Sequence, residues 1–117
     1  MYVHEPQRER QCERCHGEEQ EENFSREVEL ITPVPDLCFE CHTDMLSLEG
    51  WIHGPVTTGD CLECHEPHRS RNRGLLKWPI PDMCFSCHDS QAIALIENHG
   101  QDFYAKCGAC HSGHTSQ

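Results

Sequence analysis

The residues of this chain that could do chemistry are its cysteines, which occur as pairs with two residues between them. A histidine follows each pair directly, so the pattern C-x-x-C-H occurs five times and uses all 10 cysteines. Two thiols can form thioethers with the vinyl groups of a porphyrin, and an adjacent histidine can bind its iron, so the pattern predicts five covalently attached haems c. A zinc site or a disulfide gives no reason for a histidine directly after each second cysteine. In chain order, the five motifs contain Cys12, Cys15 and His16; Cys38, Cys41 and His42; Cys61, Cys64 and His65; Cys84, Cys87 and His88; and Cys107, Cys110 and His111.

A second set of histidines lies outside the motifs, and its size equals the number of motifs. One such histidine for each haem predicts that imidazole fills both axial positions of every iron. An iron with this ligand pair has no open site for a substrate and lacks the methionine ligand that raises the potential of other cytochromes. We therefore expect low-potential electron transfer, not catalysis, and no catalytic residues. The histidines of this set are His4, His53, His68, His99 and His114.

The spacing of these histidines leaves two assignments open. His4, His53 and His99 each lie eight residues before a motif cysteine, whereas His68 and His114 each lie three residues after a motif histidine. In the first assignment, the former three bind the first, third and fifth haems, and the latter two bind the second and fourth. In the other, His53 and His99 bind the second and fourth haems, and His4 binds an iron of a neighbouring copy. That last contact is head-to-tail and would make chains of molecules.

An internal repeat with a period of 46 residues organises the chain. The stretch 35–42 matches 81–88, and the histidines and cysteines of 53–68 map onto those of 99–114. Residues 4–16 look like the second half of a preceding unit. We predict one pentahaem domain, 1–117, with a half unit at 4–16, whole units at 35–68 and 81–114, and linkers at 17–34 and 69–80.

The composition predicts a fold with little polypeptide core. Only 36% of the residues are hydrophobic, the mean hydropathy is −0.70, and 117 residues must surround five haems. Burial of porphyrin faces would replace the aliphatic core that so small a chain lacks. The expected fold is that of a multihaem cytochrome c, mostly irregular coil with a few short α-helices around a stacked haem chain and essentially no β-sheet. Apolar spacing predicts helices at 43–49 and 89–98, and no apolar run is long enough for a transmembrane segment.

The charge distribution restricts the partners of this chain. A formal net charge of −11 excludes nucleic acid and favours basic docking surfaces or close haem-to-haem contacts. Negative charge is concentrated at 18–22, and positive charge at Arg69, Arg71 and Arg73. Runs of like charge are typical of solvated loops, and the other interpretation is a complementary pair of contacts between subunits.

Several phrases resemble the doubled C-x-x-C-H multihaem cytochromes: Leu37-Cys-Phe-Glu-Cys-His42, His53-Gly-Pro-Val, Gly59 to His68, and Leu75-Leu-Lys77. The arrangement is also similar to pentahaem electron-transfer subunits of periplasmic nitrite respiration and to the haem chains of outer-membrane electron conduits. The resemblance covers 35–114 and, less closely, 4–16, where Glu19 stands in place of a histidine. It implies closely stacked bis-histidine haems that serve anaerobic respiration or electron export, in some members as extracellular filaments.

Three functions are compatible with these observations. Two are versions of an electron conductor, a subunit of an extracellular cytochrome filament and a soluble periplasmic shuttle. The third is a multihaem reductase with one open haem site. Haem c is attached outside the cytoplasm, so we expect an exported protein, periplasmic or extracellular. The first residues lack a signal peptide, which fits a mature chain or a module of a longer one. The expected partners are other redox proteins or copies of the chain in a head-to-tail homopolymer.

Overall fold

Short elements joined by turns make up the computed structural model, which describes residues 1–17, 29–99 and 107–116. The described part has eight α-helices of four or five residues, two 3-10 helices at Met45–Ser47 and Arg73–Leu75, and four strands of two residues. This confirms the prediction of mostly irregular coil with short helices. The α-helices are α1 (Glu5–Arg8), α2 (Glu13–His16), α3 (Asp36–Phe39), α4 (Gly54–Thr57), α5 (Cys61–Cys64), α6 (Asp82–Phe85), α7 (Ser90–Ala94) and α8 (Cys107–Cys110).

The helices predicted at 43–49 and 89–98 are present but shorter. The Asp44 side chain accepts a hydrogen bond from the amide of Leu46 and so begins the 3-10 helix at Met45–Ser47. The Asp89 side chain accepts from the amides of Gln91 and Ala92 at the start of α7, which ends at Ala94. Both helices therefore start at an aspartate cap, as expected for residues that satisfy the first free amides of a helix.

Two small antiparallel sheets join segments that are distant in the sequence. Strand β1 (Tyr2–Val3) pairs with β3 (Arg69–Ser70), and β2 (Trp51–Ile52) pairs with β4 (Thr115–Ser116). In each pair one strand directly precedes a histidine outside the motifs and the other directly follows one. The prediction of essentially no β-sheet thus needs a small correction, because these two-residue pairs, although minimal, connect distant parts of the chain.

The polypeptide does not build a hydrophobic core in its described part. No hydrophobic side chain there is buried, and Ser70, at 8% exposure, is the one buried polar residue. The radius of gyration is 16.8 Å, whereas a compact domain of this length has a radius of about 13 Å. The molecule is elongated, with extents of 55 × 31 × 23 Å. This extended shape suits a chain whose core is supplied by a prosthetic group.

In the described ranges, no helix has the length and apolar character that a membrane span requires.

Gly59 provides a direct test of this fold. Its φ is +75°, and a Cβ atom there would lie 2.8 Å from Cδ of Pro35, just ahead of the second motif. We expect Gly59→Ala to lower the free energy of unfolding by about 1 to 2 kcal/mol, since the left-handed backbone disfavours a side chain. Denaturation of the haem-loaded protein, followed by circular dichroism, measures the change.

Gly54→Ala is the matched control, because a Cβ atom at Gly54 would meet nothing within 4 Å. This variant should be as stable as the parent protein or slightly more stable, because alanine loses less backbone entropy than glycine when α4 forms. Equal stability of the two variants would contradict the packing of Gly59 against Pro35.

Candidate haem sites

One helical turn shapes each C-x-x-C-H motif. In all five motifs the amide of the histidine donates a hydrogen bond to the carbonyl of the first cysteine, at distances between 2.9 and 3.0 Å. Residues three or four apart on such a turn lie on the same face. Each motif thus presents two thiols and one imidazole in the same local geometry. None of the ten thiols forms a disulfide.

The ten histidine rings form five pairs in space. Each pair contains one motif histidine and one histidine from outside the motifs, with ring centroids 5.8 to 6.1 Å apart. The ring planes are nearly parallel in four pairs, at 15 to 16°, and inclined by 38° in the other. The pairs are His4 with His42, His16 with His68, His53 with His88, His65 with His114, and His99 with His111.

The separation of the rings fits a shared iron. Two imidazoles that bind one metal ion from opposite sides, through bonds of about 2 Å, hold their ring centroids roughly 6 Å apart. Ordinary aromatic contacts also occur over this range of distances. Chance contacts, however, would not match every motif histidine to a different partner outside the motifs. A haem iron takes four nitrogens from its porphyrin and needs two from the protein, which is the number that each pair offers.

One ring of every pair is held by a backbone carbonyl. The Nδ1 atoms of His4, His53 and His65 donate to the carbonyls of Pro67, Gly113 and Gly74 at 2.8 to 2.9 Å. His16 and His99 make longer contacts of the same kind, at 3.5 Å to Glu29 and 3.2 Å to Glu97. A proton on Nδ1 leaves the lone pair on Nε2, the nitrogen free to bind iron. Such an outer hydrogen bond also fixes the orientation of a ligating ring.

The two small sheets position four of the histidines outside the motifs. The amide of His4 donates to the carbonyl of His68 at 2.9 Å, directly beside the pairing of β1 with β3. In the same way, the amide of His53 donates to the carbonyl of His114 at 2.8 Å beside β2 and β4. Each sheet therefore places two histidines side by side, and each of these faces a different motif.

These ring pairs differ from both assignments that spacing allowed. The structure brings His99 to His111, as in the first assignment, but the other four pairs occur in neither. His4 lies against His42 of the same chain, so it is not a spare histidine that could bind an iron of a neighbouring copy. The partners in those four pairs are separated by 35 to 52 residues. Spacing from the nearest motif could not reveal pairs that join different parts of the repeat.

Four of the five ring pairs follow the 46-residue repeat. The pair His4 and His42 corresponds to the pair His53 and His88 one unit later. The pair His16 and His68 corresponds in the same way to His65 and His114. The pair His99 and His111 has no such counterpart. Because the first assignment also repeats from unit to unit, the repeat alone could not have distinguished it from the observed pairs.

The motifs follow one another in space in chain order. Cys15 of the first motif lies near Cys41 of the second, and Cys64 of the third lies near Cys87 of the fourth. Cys38 of the second motif likewise lies near Cys61 of the third, and Cys84 of the fourth lies near Cys107 of the fifth. Second cysteines thus meet at two junctions and first cysteines at the other two, in alternation.

Burial favours the neutral forms of four cysteine thiols and of the His114 imidazole. Burial, followed by the neighbouring Cys61, raises the pKa of the Cys38 thiol to about 11, and burial also raises the pKa of Cys15, Cys64 and Cys84. The thiols therefore stay protonated at neutral pH, as S–H groups that can add across a vinyl double bond. Burial, with the charges of His65 and His53, lowers the pKa of His114. A neutral imidazole is the form that binds a metal ion.

A comparison with protein families agrees with this geometry. The model of the family described as the doubled CXXCH motif matches residues 4–46 and 53–93, which is most of the chain. The chain belongs to this family. Its CXXCH motifs indicate covalently bound haem c, and multihaem c-type cytochromes of this kind transfer electrons and are generally exported. Searches of curated proteins and of solved structures found no match.

Some features of the doubled CXXCH chain were predicted and others were not. The predicted cysteines and histidines all lie in the described part, where each motif histidine has a ring partner. Glu19 and the whole acidic stretch at 18–22 lie outside the described residues, as does most of the predicted linker at 17–34. The sequence did not reveal the two sheets beside the histidines, because strands of two residues have no recognisable alternation.

Removal of His4 tests the ring pairs. We expect His4→Ala to leave the second haem, attached at Cys38 and Cys41, with one imidazole. About one fifth of the iron should then become high-spin, since the ligand field weakens when an axial nitrogen is lost. Electron paramagnetic resonance of the oxidised protein measures this fraction.

The identity of the affected haem follows from removing haems one at a time. When Cys38 and Cys41 are also replaced by alanine, the high-spin signal of His4→Ala should vanish. When Cys12 and Cys15 are replaced instead, it should remain. The reverse pattern would show that His4 serves the first motif.

Proposed function

We propose that this chain conducts electrons through five haems c, each attached to one motif and bound on both faces by histidine. The five ring pairs carry this proposal, because they give every motif a second imidazole from within the same chain. Haem supplies an iron that gains and loses one electron. The residues of the chain attach it, fix its axial ligands and set its distance from the next site.

The side chains of each site have separate roles in this proposal. The cysteines form the thioethers and hold the porphyrin edge to a helical turn. The two histidines fill the axial positions and so exclude water and substrates from the metal. The backbone carbonyls that accept from Nδ1 keep these rings in place. A site held this rigidly changes its shape little when an electron arrives, which favours fast transfer.

The order of the motifs supports a linear path. Consecutive motifs are neighbours at all four junctions, and the molecule is 55 Å long in its longest direction. Electrons would enter near the first motif or the fifth and leave at the other end. The alternation of the cysteine contacts gives two kinds of junction, and the haems would stack closely along this path.

We propose in addition that copies of the chain assemble into an extracellular filament with a continuous path of haems. The elongated shape and the small amount of protein for each haem support this assembly, since haems near both ends would lie close to the surface. Because His4 has a ring partner in its own chain, the contacts between copies would not depend on a shared histidine. The alternative is a soluble periplasmic carrier with the same internal path.

A reductase of nitrite, hydroxylamine or metal ions is the competing function. Such an enzyme needs an iron with a vacant axial position. The ring pairs favour electron transfer over this function, since each motif histidine faces a second imidazole.

Carbon monoxide distinguishes the two. The protein is produced with its haems attached, and iron analysis with intact mass measurement should give five haems for each chain. After full reduction, the visible spectrum should stay unchanged under carbon monoxide, because both axial positions of every iron are filled. A spectral change equal to one haem in five would overturn the purely conducting role.

The His99→Ala variant is the positive control for this measurement. It removes the imidazole that faces His111, so one reduced haem should bind carbon monoxide. A variant that binds none would show that His99 is not an axial ligand.

A further inference from the structure

A basic loop at residues 69–78 interrupts an otherwise acidic chain. It contains four of the 9 basic residues and none of the 20 acidic ones. The described stretches on both sides of it, 29–68 and 79–99, contain acidic residues and no lysine or arginine. The basic residues of the loop are Arg69, Arg71, Arg73 and Lys77.

Internal hydrogen bonds give the basic loop a defined shape. The buried hydroxyl of Ser70 donates to the carbonyl of Leu76 and accepts from the amide of Asn72. The side chain of Asn72 donates to the same carbonyl of Leu76 at 3.0 Å. Little conformational entropy is therefore lost when the loop binds a partner, which favours affinity.

The basic loop is fastened to the third motif. The amide of Lys77 donates to the carbonyl of Cys64 at 2.9 Å, and Nδ1 of His65 donates to the carbonyl of Gly74 at 2.8 Å. The positive charge of Lys77 also acts to lower the pKa of the Cys64 thiol, although burial raises that pKa overall. A partner bound to this loop would therefore lie close to the third haem.

The charges of the basic loop are available to a partner. Its four basic side chains are exposed, and the one ion pair among the described residues joins Arg8 to Glu9 instead. Arg69, Arg71 and Lys77 line an open cleft of about 420 Å³ together with the half-exposed ring of Trp78, and Glu66 is the one acidic residue among those described at its edge. Exposed arginines beside an aromatic ring are typical of protein contact surfaces.

We propose that the basic loop is a docking surface for the acidic surface of a second copy of this chain. This proposal rests on the filament proposed above and names the contact that would build it. Charge complementarity supports it, since the remainder of each copy holds all 20 acidic residues and only five basic ones. The contact joins different surfaces of the two copies, so it is heterologous and can be repeated along a chain of molecules.

Charge reversal in the basic loop tests this contact. Sedimentation velocity of the haem-loaded protein at low salt should show self-association that 0.5 M salt disperses, because screened charges attract weakly at about that ionic strength. The double variant Arg71→Glu with Arg73→Glu should associate at least about tenfold more weakly. The haem content and the visible spectrum should not change.

Two variants serve as controls. Arg71→Lys with Arg73→Lys keeps the charge of the loop and should associate like the parent protein. Arg8→Glu with Arg10→Glu makes the same change of net charge in another part of the chain, outside the motifs, and it too should keep the association. A loss of association in this second variant would attribute the effect to net charge and overturn the proposal.

Chemical cross-linking identifies the partner surface. A carbodiimide joins lysines to carboxylates in contact, and Lys77 and Lys106 are the lysines of the chain. In a mixture of unlabelled and nitrogen-15-labelled protein, Lys77 should form cross-links between copies. Cross-links from Lys77 that remain within single copies would overturn the proposal.

The remaining outcomes separate this proposal from the filament itself. If the glutamate variant associates like the parent protein, the copies meet through another surface and only the role of the loop is wrong. If the parent protein stays monomeric at every salt concentration, both the filament and the docking contact fail. A reduced haem content in the glutamate variant would show that the arginines bind haem propionates instead.

Discussion

The constraint on which this structure depends is the placement of a second imidazole opposite the histidine of each motif, with the two ring centroids about 6 Å apart. A C-x-x-C-H motif provides one imidazole by its own helical turn. The other must come from elsewhere in a chain that has no hydrophobic core in its described part. The two small sheets, the turns around the motifs and the carbonyls that hold Nδ1 all serve this placement.

The chain meets this constraint by using one arrangement twice. His4 and His68 lie side by side at the first sheet and face the second and first motifs, and His53 and His114 do the same at the second sheet for the fourth and third. One backbone pairing therefore positions histidines opposite two neighbouring motifs. Because each sheet positions two histidines, a chain of 117 residues can supply a second histidine to all five motifs.

The sequence predicted the local features of the sites and not their partners. The five motifs and ten histidines could be identified because covalent attachment requires adjacent residues in a fixed order. The coil with short helices followed from the low apolar content. The pairs His4–His42 and His16–His68 could not be identified, because backbone hydrogen bonds between distant segments determine them. Strands such as Tyr2–Val3 are too short to show in a hydrophobic pattern.

The ring pairs also tie the whole chain together. The intervals 4–42, 16–68, 53–88 and 65–114 overlap one after another, and the last encloses 99–111. A cut at any peptide bond between His4 and His114 would place two paired histidines on different fragments of the chain. If each pair binds one haem iron, as proposed, the two fragments left by a protease that cuts an exposed turn would still be joined through that iron.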